Sequence, residues 1–117
     1  MEQQHLTQAE NAVLMWSISV SAARNRQIIS YAAIEGFTGI DRMGTNQALG
    51  LIHSYCKRRS WPLLNCLVVS QVTGLPAEEF REKMDPVQKL TEQAKVFVFD
   101  WAGHDKPRPQ DLQTESQ

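Results

Sequence analysis

The chain has 117 residues, 42% of them hydrophobic, and its 12 Lys and Arg against 13 Asp and Glu leave a formal net charge of −1. That length supports one domain with a single modest core, and no apolar run approaches the ~20 residues that span a bilayer. The opening Met1-Glu2-Gln3-Gln4-His5 lacks the basic segment of an export signal, so a cytoplasmic location without a membrane partner is expected, with Cys56 and Cys66 as reduced thiols.

Thr7 followed by Glu10 is a capping box and predicts a helix over 8–25. Val13, Trp16, Val20 and Ala23 recur at helical spacing, widened by Ala12, Met15 and Ala22, while Ser17, Ser19 and Ser21 mark a polar side. Ser30 is an N-cap for a short helix, Tyr31 to Glu35, that Gly36 and Gly39 end. Thr45 or Asn46 caps a longer helix to Arg59, with Ala48, Leu49, Ile52, Tyr55 and Cys56 facing inward and Lys57, Arg58 and Arg59 in its last turn, where positive charge suits the helix dipole. Pro62 stops it.

Leu63 to Ser70 has the branched, apolar density of a buried strand. A turn is expected over 72–76, a short helix over 77–83, and a helix opened by Asp85-Pro86 and running to about Gln93. Residues 95–101 read as a second strand, with Val96 and Val98 on one face and Phe97, Phe99 and Trp101 on the other, paired antiparallel with 64–70. From Gly103 the chain becomes polar and Pro-rich, which predicts a globular domain over 1–102 and a flexible tail over 103–117. The predicted fold is α+β: a winged helix-turn-helix-like core with a small antiparallel ribbon.

Charge is unevenly spread. Six basic residues lie between Arg24 and Arg59 against Glu35 and Asp41; from Glu78 onward nine acids face six bases. Such clustering points to a polyanion contact, although the pI of about 6.3 is low for a dedicated nucleic-acid binder. The candidate nucleic-acid-binding residues are Arg42, Asn46, Gln47, Lys57, Arg58, Arg59 and Trp61: Asn and Gln for base edges, Arg and Lys for phosphates. Trp61 reads as a wing-side contact or a core plug, and tryptophan in such a place is more often core.

Other chemistry is sparse. His53 and Cys56 at i and i+3 would need Cys66 and His104 to complete a four-ligand zinc set, so no metal or cofactor is expected. Cys66 sits in an apolar segment where burial makes a thiol inert. Asp100 and His104 read as loop caps before an acid–base pair. A non-enzymatic protein is therefore expected.

Ser30-Tyr31-Ala32-Ala33-Ile34, Arg42-Met43-Gly44-Thr45-Asn46-Gln47-Ala48-Leu49-Gly50, Leu64-Asn65-Cys66-Leu67-Val68-Val69 and Thr73-Gly74 together resemble the C-terminal domain of the alkylguanine-DNA alkyltransferases and alkyltransferase-like proteins. The resemblance covers roughly fifty residues. It implies a winged-helix scaffold with helix 46–59 in a DNA groove. It does not imply alkyl transfer. With Val68-Val69 on the family's two valines, Asn65 falls at the reactive cysteine, Cys66 at the histidine and Leu67 at the arginine; sliding by one puts Cys66 at the cysteine but Leu67 at the histidine, and neither register keeps the base that activates the thiol. DNA is therefore the expected partner. The alternative is a protein-interaction module of bacterial or phage origin (an inhibitor, immunity or accessory protein), or a homodimer, using the apolar face of 97, 99 and 101.

Overall fold

Thr7 opens the first helix as its spacing from Glu10 requires: the Glu10 N–H donates to the Thr7 hydroxyl at 3.1 Å, and the Thr7 N–H donates to the Glu10 carboxylate at 2.9 Å. The computed structural model describes residues 7–70 and 86–113. In chain order it holds α1 (Gln8–Arg24), β1 (Ile29–Ser30), α2 (Tyr31–Thr38), α3 (Arg42–Arg59), a 3-10 turn (Leu64–Leu67), β2 (Val68–Val69), α4 (Pro86–Val98), a second 3-10 turn (Trp101–Gly103) and α5 (Pro109–Gln113). The fold is α+β but mostly helical. The expected turn over 72–76, the expected helix over 77–83 and the cap at Asp85 lie outside the described residues.

α1 is the central element, packed against α3, α4, α5 and the first 3-10 turn. Contact on several sides explains why Ser19, expected on a polar side, is fully buried, while Val13 and Val20 are only partly covered. Ser30 caps α2 as expected, its hydroxyl accepting from the Ala33 N–H at 3.0 Å. The helix nonetheless runs through Gly36 to Thr38 and closes on Gly39, which is left-handed at φ 76°. α3 begins earlier than expected. Asp41, not Thr45 or Asn46, is its N-cap and accepts from the Gly44 N–H at 2.8 Å; Thr45 is buried inside the helix. Gly44 gives the cap room, because a Cβ there would lie 2.8 Å from Ile40 Cγ2 and 3.2 Å from the capping oxygen, Asp41 Oδ1.

The predicted antiparallel ribbon is absent from the described residues. The segment 64–69 is buried as expected, but it forms a 3-10 turn and then two strand residues. These pair parallel with β1, Ile29 opposite Val68 and Ser30 opposite Val69. A parallel pair needs a long crossover, and α2 with α3 supply it. The predicted partner strand over 95–101 is the end of α4, which runs to Val98. Its alternation of Val and Phe imitates a period of two, yet Gln93 and Val96 are buried at helical spacing while Val98 is 71% exposed. No stop signal separates Pro86 from Asp100, so the helix started by proline continues. Side chains then do the joining a ladder would have done. Glu92 Oε2 accepts from the Leu63 N–H at 2.7 Å, and Gln93 Nε2 donates to the Cys66 carbonyl at 3.0 Å.

α1 and α3 end alike. The Gln27 N–H donates to the Ala22 carbonyl, and the Trp61 N–H to that of Cys56, both at 2.9 Å. This six-to-one closure puts Arg26 (φ 55°) and Ser60 (φ 59°) in the left-handed region, where glycine is the usual occupant. It also turns Trp61 back toward the core.

Residues 103–113, expected as a flexible tail, are part of the described fold. α5 packs against α1 and α3, and Leu112 is fully buried. Arg108 and Asp111 start the helix, the Arg108 N–H donating to Asp111 Oδ2 at 2.9 Å. Residues 114–117 lie outside the described set.

Leu112→Ala is expected to lower stability by about 2–5 kcal/mol, the range for a buried large-to-small change, measured by urea unfolding. A neutral result would mean that this segment does not dock. Ser60→Gly is expected to raise stability by up to about 1 kcal/mol, since only the L-residue is strained at this φ; thermal unfolding checks it.

Candidate functional site

α3 is 18 residues long, about 27 Å at 1.5 Å per residue. Its buried face carries Thr45, Ala48, Leu49, Ile52, Tyr55 and Cys56. Turned away from that face by the 100° helical step, the outer row runs through Met43, Gln47, Gly50, Ser54, Lys57 and Arg58. Gln47, Lys57 and Arg58 are exposed; Gly50 and Ser54 between them are small and partly covered.

The residues expected to bind divide into two groups. Arg42, at the first helical position, is exposed with its guanidinium 4.0 Å above the centre of the Tyr31 ring. Stacking holds the side chain in place and leaves its N–H donors at the rim. Gln47, Lys57 and Arg58 lie on the outer row, with the Arg58 guanidinium also 5.8 Å from the Tyr55 ring centre. Arg59 turns the other way and lies 4.6 Å from the Tyr55 ring centre and 5.4 Å from that of Trp61. Asn46 is half-buried, and its Oδ1 is sealed without a hydrogen-bond partner, which directs it inward. Trp61 belongs to an aromatic cluster with Trp16, Tyr55, Phe99, Trp101 and His104. The core-plug reading describes its setting.

That cluster closes the end of the bundle where α1, α3 and α4 meet the loop over 101–106. Trp101 Nε1 donates to the Val96 carbonyl at 2.8 Å and so satisfies the end of α4. Asp100 caps the second 3-10 turn, accepting from the Gly103 N–H at 3.1 Å. His104 lies 5.3 Å from Phe99, nearly parallel, and 4.5 Å from Trp61. Asp100 is thus a turn cap, and His104 is placed by rings.

Beside the cluster are two clefts that share His104 and Lys106. One, of about 550 Å³, is lined by Trp16, Trp101, Arg24 and Asn25 among others. The other, of about 640 Å³, has Arg59 and Arg108 facing Asp105 and Asp111. Hydrogen bonds from Arg108, with the Arg59 charge adding a little, hold the Asp111 carboxyl below its usual range. Lys106 and Arg108 were missed because this stretch reads as tail. Asp111 three residues after Arg108, Pro109 at the first helical position and a lone Leu112 were the available signals.

The thiols are set for packing. Cys56 and Cys66 are both fully buried. Burial, with the Glu92 carboxylate adding to it, pushes the Cys56 thiol up to about 12. Asn65 is 1% exposed and lies 3.3 Å from His53 Nδ1 through its amide nitrogen. Among the described residues no three His, Cys, Asp or Glu side chains come together as a metal site. No helix among them is long and apolar enough to cross a membrane.

Because the Cys56 pKa is raised on folding, its contribution to stability is complete below the unfolded thiol value of about 8.5 and declines as pH rises from there toward 12. Urea unfolding of wild type and Cys56→Ala across that range is expected to show a steeper alkaline loss in wild type. Equal slopes would contradict the burial argument. No protein-family model matches the chain, and neither a curated protein nor a solved structure is significantly similar to it.

Proposed function

We propose that the chain binds nucleic acid without catalysing a reaction, with α2, the turn over 39–41 and α3 acting as a helix-turn-helix and the outer row of α3 as the contact surface. The observation that carries this reading is the joint between the helices. Eight residues of α2 are followed by three turn residues, one a left-handed glycine, and then by an 18-residue helix. A three-to-four-residue turn containing glycine is the signature of that motif.

The charge placement supports the same reading. Arg42 and the Lys57–Arg58 pair lie fifteen or sixteen residues apart, about 22–24 Å along the helix. A major groove is roughly 12 Å wide, so cations at the two ends reach phosphates on opposite sides while the small centre of the row sits over the groove. Gln47 is the residue offered to base edges, since the Asn46 oxygen faces inward. Arg59, turned over Tyr55 and Trp61, is a positioning residue rather than a phosphate contact. The winged-helix form of the motif remains part of this proposal and not of the described fold.

Protein docking is a second reading, through a different surface from the one expected. The apolar face of 97, 99 and 101 does not exist as a strand face. Instead Phe37 is 71% and Ile28 50% exposed beside a groove of about 700 Å³ between α1 and α2, an apolar edge of the kind partners cover.

Fluorescence anisotropy with a labelled duplex at two salt concentrations tests the first reading. Affinity is expected to fall with salt, at about 0.9 in log–log slope per phosphate contacted. Lys57→Ala with Arg58→Ala is expected to reduce the slope by about two, and Arg59→Ala to leave it unchanged. Absence of binding at low salt, or an unchanged slope in the double variant, would overturn it.

A further inference from the structure

The cleft of about 550 Å³ between the C-terminal half of α1 and the loop over 101–106 differs in charge from its neighbour. Its cationic lining is Arg24, from the last turn of α1, and Lys106, from the loop, with the His104 imidazole between the two clefts. Among the described residues no carboxylate lines it. Both cations are exposed, and neither is ion-paired with another described residue. In the adjoining cleft acids offset the cations: Arg59, Lys106 and Arg108 share the lining with Asp105 and Asp111, and Arg108 Nε lies 3.4 Å from Asp111 Oδ2.

Ser17 and Ser21 add hydroxyls one helical turn apart on the α1 wall, and Trp16 with Trp101 closes the floor. The floor is rigid. The two rings meet edge-on at 5.6 Å, and Trp101 is tied by its indole N–H to the end of α4. A cation in the last turn of α1 is accounted for by the helix dipole. The dipole does not account for a second cation, also without an ion pair among the described residues, brought to the same cleft from a loop 82 positions further along the chain. Three carbonyls of the last turn of α1, those of Ser21, Ala22 and Ala23, accept from the N–H groups of Asn25, Gln27 and Arg26.

We propose that this cleft binds a phosphomonoester, with the phosphate between Arg24 and Lys106 and hydrogen-bonded by the serine hydroxyls. Arg suits the bidentate geometry of a phosphate, and Lys serves as a point charge. The volume lies within the roughly 300–1,000 Å³ of small-molecule sites. Two sources present this chemistry, a free mononucleotide and the terminal phosphate of a nucleic acid strand. The site does not include the outer row of α3 and does not depend on it.

Trp16 and Trp101, which line the cleft, provide the signal. Intrinsic fluorescence is followed during titration with AMP, adenosine, and a short oligonucleotide with and without a 5′ phosphate. AMP or the phosphorylated oligonucleotide is expected to bind, and adenosine and the unphosphorylated strand to bind more weakly by about tenfold or more. Arg24→Gln and Lys106→Gln, both exposed and safe for folding, are each expected to weaken binding by about tenfold. The oligonucleotide arms are read in the Lys57→Ala, Arg58→Ala double variant, which removes the α3 contacts of the proposed function, and that variant leaves AMP binding unchanged. Binding of AMP assigns a free ligand, and binding of the phosphorylated strand alone assigns a nucleic acid end. Failure of both at millimolar concentration, equal binding with and without phosphate, or indifference to Arg24→Gln and Lys106→Gln would each overturn the proposal.

Discussion

The packing of Trp16 is the contact on which the remainder of the molecule depends. From the middle of α1 its ring meets Tyr55 of α3 edge-on at 5.5 Å and Trp101 edge-on at 5.6 Å, with Trp61 at 6.3 Å. Each such pair contributes about 0.5–1.5 kcal/mol beyond the area it buries. One side chain thereby fixes the end of α3, the end of α4 and the loop that leads into α5. These elements are distant in sequence, and the two-residue strands are too short to hold them. The bundle is closed by rings where a ribbon would otherwise have closed it.

This arrangement sorts the cations. Ser60 adopts a left-handed conformation and swings Trp61 onto the cluster. Arg59 follows, its guanidinium stacked on two rings. Arg58 and Lys57, one and two residues earlier, lie on the outer row, Arg58 at the longer distance of 5.8 Å from the Tyr55 ring centre. Three adjacent basic residues therefore have two destinations. The cluster also brings the loop carrying His104 and Lys106 against α1, beside Arg24. Surface charge on this molecule follows from where its aromatic rings pack.

The local punctuation of the chain was legible. The Thr7–Glu10 box, the Ser30 cap, the left-handed Gly39, the Pro86 start and the basic last turn of α3 all occur where their residue types place them. The errors came where a local pattern had two readings. The Val-Phe alternation over 96–99 fits a strand, but it also continues a helix that nothing has stopped. Asp41 and Thr45 are both good caps, and the first in line took the role because Gly44 leaves it room. The polar stretch after Gly103 has too little apolar area for a core of its own, yet Leu112 needs only a slot in an existing one.

By itself the sequence determined the helix starts, the core positions of α3 and the position of the basic residues along the chain, because caps, helical period and charge act over a few residues. Only the tertiary structure decided that residues 95–98 are helical, that the strands pair in parallel, that the last described segment docks, and which of the clustered cations face outward. Each of those depends on partners tens of residues away, and no local propensity encodes the distance between them.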